Sequence, residues 1–103
     1  MYIQYYPFHV KFEWDDQKNQ TNILKHGINF EDAKAIFEDV RLTAVDTRQP
    51  YGELRKISLG TIHGRICVVV YTERRGAIRI ISARKANQRE RRRYYEFIKR
   101  SET

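Results

Sequence analysis

The chain has 103 residues, enough for one domain with one modest core, and no apolar run approaches the roughly 18–20 residues that cross a bilayer. Twenty Lys and Arg against thirteen Asp and Glu leave a net charge of +7, a balance that suits phosphate backbones and other polyanions. A single cysteine, Cys67, sits in the apolar run 66–70 and has no internal disulfide partner; together with an N-terminus lacking a charged n-region and a small-residue cleavage site, this gives a cytoplasmic expectation.

In chain order, Phe12-Glu13-Trp14 reads as the end of a short strand. Asp15 can cap a helix running to about His26, with Asp16 in its positive first turn, Lys25 and His26 in its last turn and Gly27 just beyond. Asn29 can cap a second helix, whose stripe is Phe30, Ala33, Ile36, Phe37 and Val40. From Arg41 the period changes to two. Leu42-Thr43-Ala44-Val45-Asp46 predicts a weak strand, residues 55–62 a longer one, and His63-Gly64 a tight hairpin into a strand over 65–72. Arg74-Arg75-Gly76 turns into a strand over 77–84, and the earlier strand is expected to join the edge of this meander. The unbroken apolar run 66–70 predicts a central strand covered on both faces. Asn87 starts the last helix, Glu90 can complete a capping box, and Tyr94, Phe97 and Ile98 form its apolar stripe. The expected fold is therefore α+β: two N-terminal helices, a twisted antiparallel sheet of about four strands and a C-terminal helix, in one domain spanning 1–103. The aromatic-rich start (Tyr2, Tyr5, Tyr6, Phe8) is expected either to extend the sheet edge or to remain free. Charge is unevenly spread: residues 13 to 53 are mixed and locally acidic, and the chain from Leu54 onward is strongly basic, so one face can meet an anion and another a different partner.

Several segments resemble BrnT-type toxins. They are Phe12-Glu13-Trp14-Asp15, Lys18, the stretch from Asn22 through Lys25-His26-Gly27 to Ala33, Phe37, Glu53-Leu54-Arg55, Gly60, Val70-Tyr71-Thr72, and Arg79-Ile80-Ile81-Ser82-Ala83-Arg84-Lys85-Ala86 with Glu90, Arg91 and Tyr94. The match covers roughly residues 12 to 98 in order and spacing, so residues 1–11 stand as an N-terminal extension relative to the family. The resemblance implies a RelE-like fold and a ribonuclease that arrests translation and growth. It also implies inactivation by a BrnA-type antitoxin dimer, in a two-plus-two complex that meets operator DNA only through the antitoxin.

Metal-free RNA cleavage needs a base for the 2′-hydroxyl proton, cations for the charge building on phosphate oxygens, and an acid for the leaving 5′ oxygen. Arg84, at the end of the last strand, is the leading candidate, because rigid backbone would aim a planar fork suited to phosphate. The alternative for it is surface pairing with Glu90 or Asp46. His26 can exchange protons or simply close its helix, and Lys25 can neutralise phosphate or complement the helix dipole. Arg55 and Arg79 lie on strands expected to face one groove. Arg74, Arg91, Arg92 and Arg93 are expected along the RNA backbone, while Tyr71 and Tyr94 can stack on bases or pack in the core. Glu90 can act as a base or as the capping-box acid. His9, His26, His63 and Cys67 show no metal-ligand spacing, so no metal or other cofactor is expected, and there is neither a Gly-rich phosphate loop nor a nucleophile elbow. A non-catalytic nucleic-acid-binding module and an antitoxin-binding scaffold are the competing classes.

Overall fold

A computed structural model describes residues 10–101. The elements are β1 (Lys11–Glu13), α1 (Asp16–His26), α2 (Phe30–Ala33) running into a 3₁₀ turn (Lys34–Glu38), β2 (Leu42–Val45), β3 (Arg55–Ile62), β4 (Arg65–Arg74), β5 (Ala77–Lys85) and α3 (Gln88–Ser101). The expectation for Tyr2, Tyr5, Tyr6 and Phe8 lies outside the described residues. No helix among the described residues is long and apolar enough to cross a membrane.

The ends of the elements follow local chemistry. Asp15 accepts the Lys18 amide at 3.0 Å, and Gly27 closes α1 at φ 71°. Asn87 and Glu90 exchange reciprocal 2.8 Å bonds, the capping box read from the sequence. His63-Gly64 and Arg75-Gly76 both have positive φ, the requirement of two-residue turns matched to strand twist. The second of these turns starts one residue later than expected, so Arg74 ends β4 instead of turning.

Two expectations need correction. The sheet has five strands in the order β1-β5-β4-β3-β2, and it is mixed, because β1 pairs parallel with β5 through Phe12 and Ile78. Nothing local to Phe12-Glu13-Trp14 carries that long-range register. The second helix is also not continuous: α-helix gives way to 3₁₀ after Ala33. Phe30, Ala33 and Ile36 recur every three residues, a spacing that a 3₁₀ turn aligns on one side as well as an α-helix does. All three are fully buried, whereas Val40, expected on the same stripe, lies past its end and is 48% exposed.

Helices cover the sheet on both faces, and β4 is buried from Ile66 to Thr72, as its unbroken apolar run predicted. On one face α2 and the 3₁₀ turn bring Phe30, Ala33, Ile36 and Phe37 against Cys67, Val69, Tyr71, Ile80 and Ala83. On the other, α3 sets Tyr94 and Ile98 against Leu59, Ile66 and Val68. The first contact is close enough to require glycine in β3. A Cβ at Gly60 would stand 2.6 Å from Ile36 Cγ1, itself buried and unable to withdraw. Gly60→Ala should therefore destabilise by about 1–3 kcal/mol, read as a lower urea midpoint. An unchanged midpoint would show that the 3₁₀ turn yields.

α1 docks differently. Its buried residues are Asn19 and Asn22, while Leu24 is 89% exposed. Asn19 accepts the Phe30 amide at 2.8 Å and donates to Asn29 Oδ1, joining α1 to the start of α2. Asn22 donates to the carbonyls of Ile28 and Ala83 and accepts the Ala83 amide, so its side chain continues the β5 edge beyond the stretch paired with β1.

Candidate active site

Residues directly opposite each other in a sheet project from the same face. Register sets Arg55 of β3 opposite Thr72 of β4, and Thr72 opposite Arg79 of β5, so the two arginines flank Thr72 in one row. Their backbones are two strand spacings apart, about 10 Å. Arg84 is opposite Val68, four β4 residues along the same face, beside the part covered by α3. Arg79 and Arg84 are an odd number of residues apart, and an unbroken strand would send them to opposite faces. A bulge prevents this: Val70 pairs with Ser82 but Tyr71 with Ile80, leaving Ile81 unpaired and restoring Arg79 to the face of Ser82 and Arg84.

Each of these arginines meets a glutamate. Glu53 holds Arg74 at 2.9 Å with one oxygen and Arg55 at 3.5 Å with the other. Glu13, opposite Arg79 across the parallel pair, lies 3.9 Å from its guanidinium. Glu90 takes both terminal nitrogens of Arg84 at 2.8 Å, which realises the surface-pairing alternative and fixes the fork against the first turn of α3. Asp46, the other partner considered for Arg84, instead grips Arg48 through two 2.8 Å bonds and accepts the Tyr51 hydroxyl. Tyr51 in turn lies 4.0 Å from the Arg55 guanidinium, ring centroid to carbon. Arg55 Nε is buried without a hydrogen-bond partner among the described residues, a donor left over by their contacts.

A groove beside this face lies between α1 and β5, lined by Lys25 and His26 on one side and Ile81 and Ser82 on the other. Ser82 shares the face of Arg84 and Arg79, so the groove and the arginine row adjoin. The geometry thus brings Arg55, Arg79 and Arg84 onto one surface, with Lys25 and His26 at its border. Arg74 sits at the end of the sheet on Glu53. Arg91, Arg92 and Arg93 are exposed on α3, and the first two line its outer side with Tyr95. Among the described residues, no group of three or more His, Cys, Asp or Glu is arranged to hold a metal ion.

The two tyrosines are corrections. Tyr71 is 1% exposed, on the opposite face of the sheet, edge-on to Phe37 and bonded through its hydroxyl to Ser58. Tyr94 is 6% exposed and donates to the Val40 carbonyl. Neither ring is open to a base, since each fills core volume while its hydroxyl is satisfied internally. Sequence reading passed over Tyr51 and Asn19, and it quoted Glu53 and Asn22 only as positions of the family resemblance, with no role. A further signal for the asparagines was a helix with too few apolar residues to dock by them.

Glu90 and Asp46 lie below the usual carboxylate range, Glu90 chiefly through the Arg84 hydrogen bonds and Asp46, whose side chain has no solvent contact, chiefly through those from Arg48. A depressed carboxyl pKa stabilises the fold above the unfolded value and loses that contribution as pH falls through the folded one. Stability should therefore hold above about pH 5 and decline as the solution is acidified below about pH 4. Urea midpoints across that range test this, and Asp46→Asn should flatten the decline. An equally steep acid loss in the variant would remove Asp46 from the account.

Comparison with known proteins adds to this geometry. A family model described as "Ribonuclease toxin, BrnT, of type II toxin-antitoxin system" matches residues 14–90, a span that holds Lys25, His26, Arg55, Arg79, Arg84 and Glu90. The crystal structure of the Brucella abortus ribonuclease toxin BrnT is similar to this chain at 32% identity and a TM-score of 0.60, covering 77% of this chain and 99% of that one. No curated protein matches.

Proposed function

The chain belongs to the BrnT family of ribonuclease toxins of type II toxin–antitoxin systems, and on that premise we propose that it is a metal-independent endoribonuclease cutting RNA on its arginine-bearing sheet face. The observation that carries this reading is the Arg55–Thr72–Arg79 row, with a buried, unpartnered Arg55 Nε and Arg84 on the same face. Guanidinium groups on either side of a scissile phosphate would stabilise the charge that grows on its oxygens as the 2′-hydroxyl attacks. His26, at the border of that face, would move a proton, and Lys25 would offset phosphate charge. Arg84 would contribute from an orientation already fixed by Glu90. Arg74 and the α3 arginines would hold flanking phosphates.

In the cell this activity would arrest translation and growth in the cytoplasm. A BrnA-type antitoxin dimer would silence it as a two-plus-two complex, touching operator DNA only through the antitoxin. Induced alone, the chain should stop growth, and co-expression with the adjacent reading frame should restore it. Purified protein incubated with RNA in EDTA should produce discrete fragments. RNA that is retarded on a gel yet left whole would reduce the protein to a nucleic-acid-binding module.

A further inference from the structure

The groove between α1 and β5 has a volume of about 530 Å³, within the range of small-ligand sites, and its chemistry is graded along its length. Lys25 and His26 make one end. Asp15, Gln17 and Lys18 make the other, with Thr21 and Asn22 between them. The Asn22 amide is committed to Ile28 and Ala83, which leaves the exposed side chains of Gln17 and Thr21 facing an occupant. The opposite wall is Ile81 and Ser82. Ile81 is the extra residue of the bulge, so the irregularity that aligns the arginines also leaves a partly buried apolar side chain lining this groove. Bulges re-aim side chains in this way beside functional sites.

We propose that the groove is a nucleotide subsite, receiving the residue of the RNA strand next to the phosphate held by the arginine row. Three features argue for a nucleotide over a purely anionic or purely apolar ligand. Cationic groups at one end suit a backbone phosphate. The Ile81 side chain offers a flat base an apolar contact. At the far end Asp15 and Gln17 offer acceptors to base N–H donors while Lys18 offsets the Asp15 charge, so hydrogen bonding sets the base edge toward Asp15 and Gln17 and leaves Lys25 for the phosphate. Asp15 stays ionised there, held low chiefly by the Lys18 backbone amide. The proposal rests on the reading of this protein as a ribonuclease, and its test is independent of cleavage.

Full-length protein is titrated with 2′-O-methyl dinucleotides, which lack the attacking hydroxyl, while backbone amide signals are followed by NMR. Signals from Thr21, His26, Ile81 and Ser82 should move. Ile81→Glu, which sets a carboxylate against the base and its phosphate, should weaken binding by about tenfold or more. Gln17→Ala, at an exposed position that packing does not need, should change the ranking of dinucleotides differing in base. Shifts confined to the arginine row or to α3, no binding at all, or a base ranking unaltered by Gln17→Ala would overturn the proposal. Groove binding in a protein that leaves ordinary RNA intact would instead retain the subsite and defeat the nuclease reading.

Discussion

Arg79→Ala should leave RNA nearly uncut, with a cleavage rate about 10²–10³-fold below that of the unaltered protein, the usual cost of removing one aimed electrostatic donor. The fold should scarcely register the change, within about 0.5 kcal/mol, because Arg79 is only partly buried and its ion pair to Glu13 is long. Arg84→Ala should likewise abolish growth arrest. Its structural consequence is less simple, since Glu90 loses a bidentate partner while keeping the Asn87 amide. Arg84→Lys separates the two effects: it retains a cation for Glu90 and removes the planar fork. Loss of activity in both Arg84 variants, with unfolding transitions intact, would assign the fork to the chemistry. Full toxicity of Arg84→Ala would mean that the residue serves only to anchor α3, and full activity of Arg79→Ala would remove the carrying observation for the site.

The second large effect is expected at an uncharged side chain. Asn22→Ala removes two donated hydrogen bonds, of 2.8 and 2.9 Å, and one accepted bond of 3.1 Å, all buried. Each stranded group costs about 1–3 kcal/mol, so the loss should reach about 3 kcal/mol or more, a large part of the roughly 5–15 kcal/mol available to a domain. Asn22→Asp should be no remedy, because a carboxylate can still accept the Ala83 amide but faces two carbonyl oxygens with no proton to offer. Leu24→Ala, by contrast, should change stability by less than about 0.5 kcal/mol despite removing the larger apolar side chain. Chemical denaturation of the three variants measures this order directly. A small loss in Asn22→Ala would mean that α1 is held by other contacts or that water replaces the amide. The effect bears on function as well, because α1 forms one wall of the groove that carries Lys25 and His26.

What could be read from the sequence shares one property: its cause lies within a few residues. The Asn87–Glu90 box, the Asp15 cap, both Gly-containing hairpin turns and the β3 boundaries depend on local backbone geometry, and the central place of β4 follows from its unbroken apolar run. Arg55, Arg79 and Arg84 were legible as candidates for the same reason, as cationic side chains on strands or at a strand end. Arg55 and Arg79 were expected to face one groove, but the place of Arg84 on that same face was not legible. Period-two reasoning separates Arg79 from Arg84, and only pairing with β4 inserts the unpaired Ile81 that reunites them. Tyr71 and Tyr94 were open to base stacking or to core packing because a phenol is compatible with either, and the packing of Phe37 and of α3 decided for the core. Composition and local pattern therefore determined which elements form and which chemistry they carry. Tertiary structure decided strand neighbours, face and partner, because those depend on contacts between segments distant in the chain, whose register no single segment encodes.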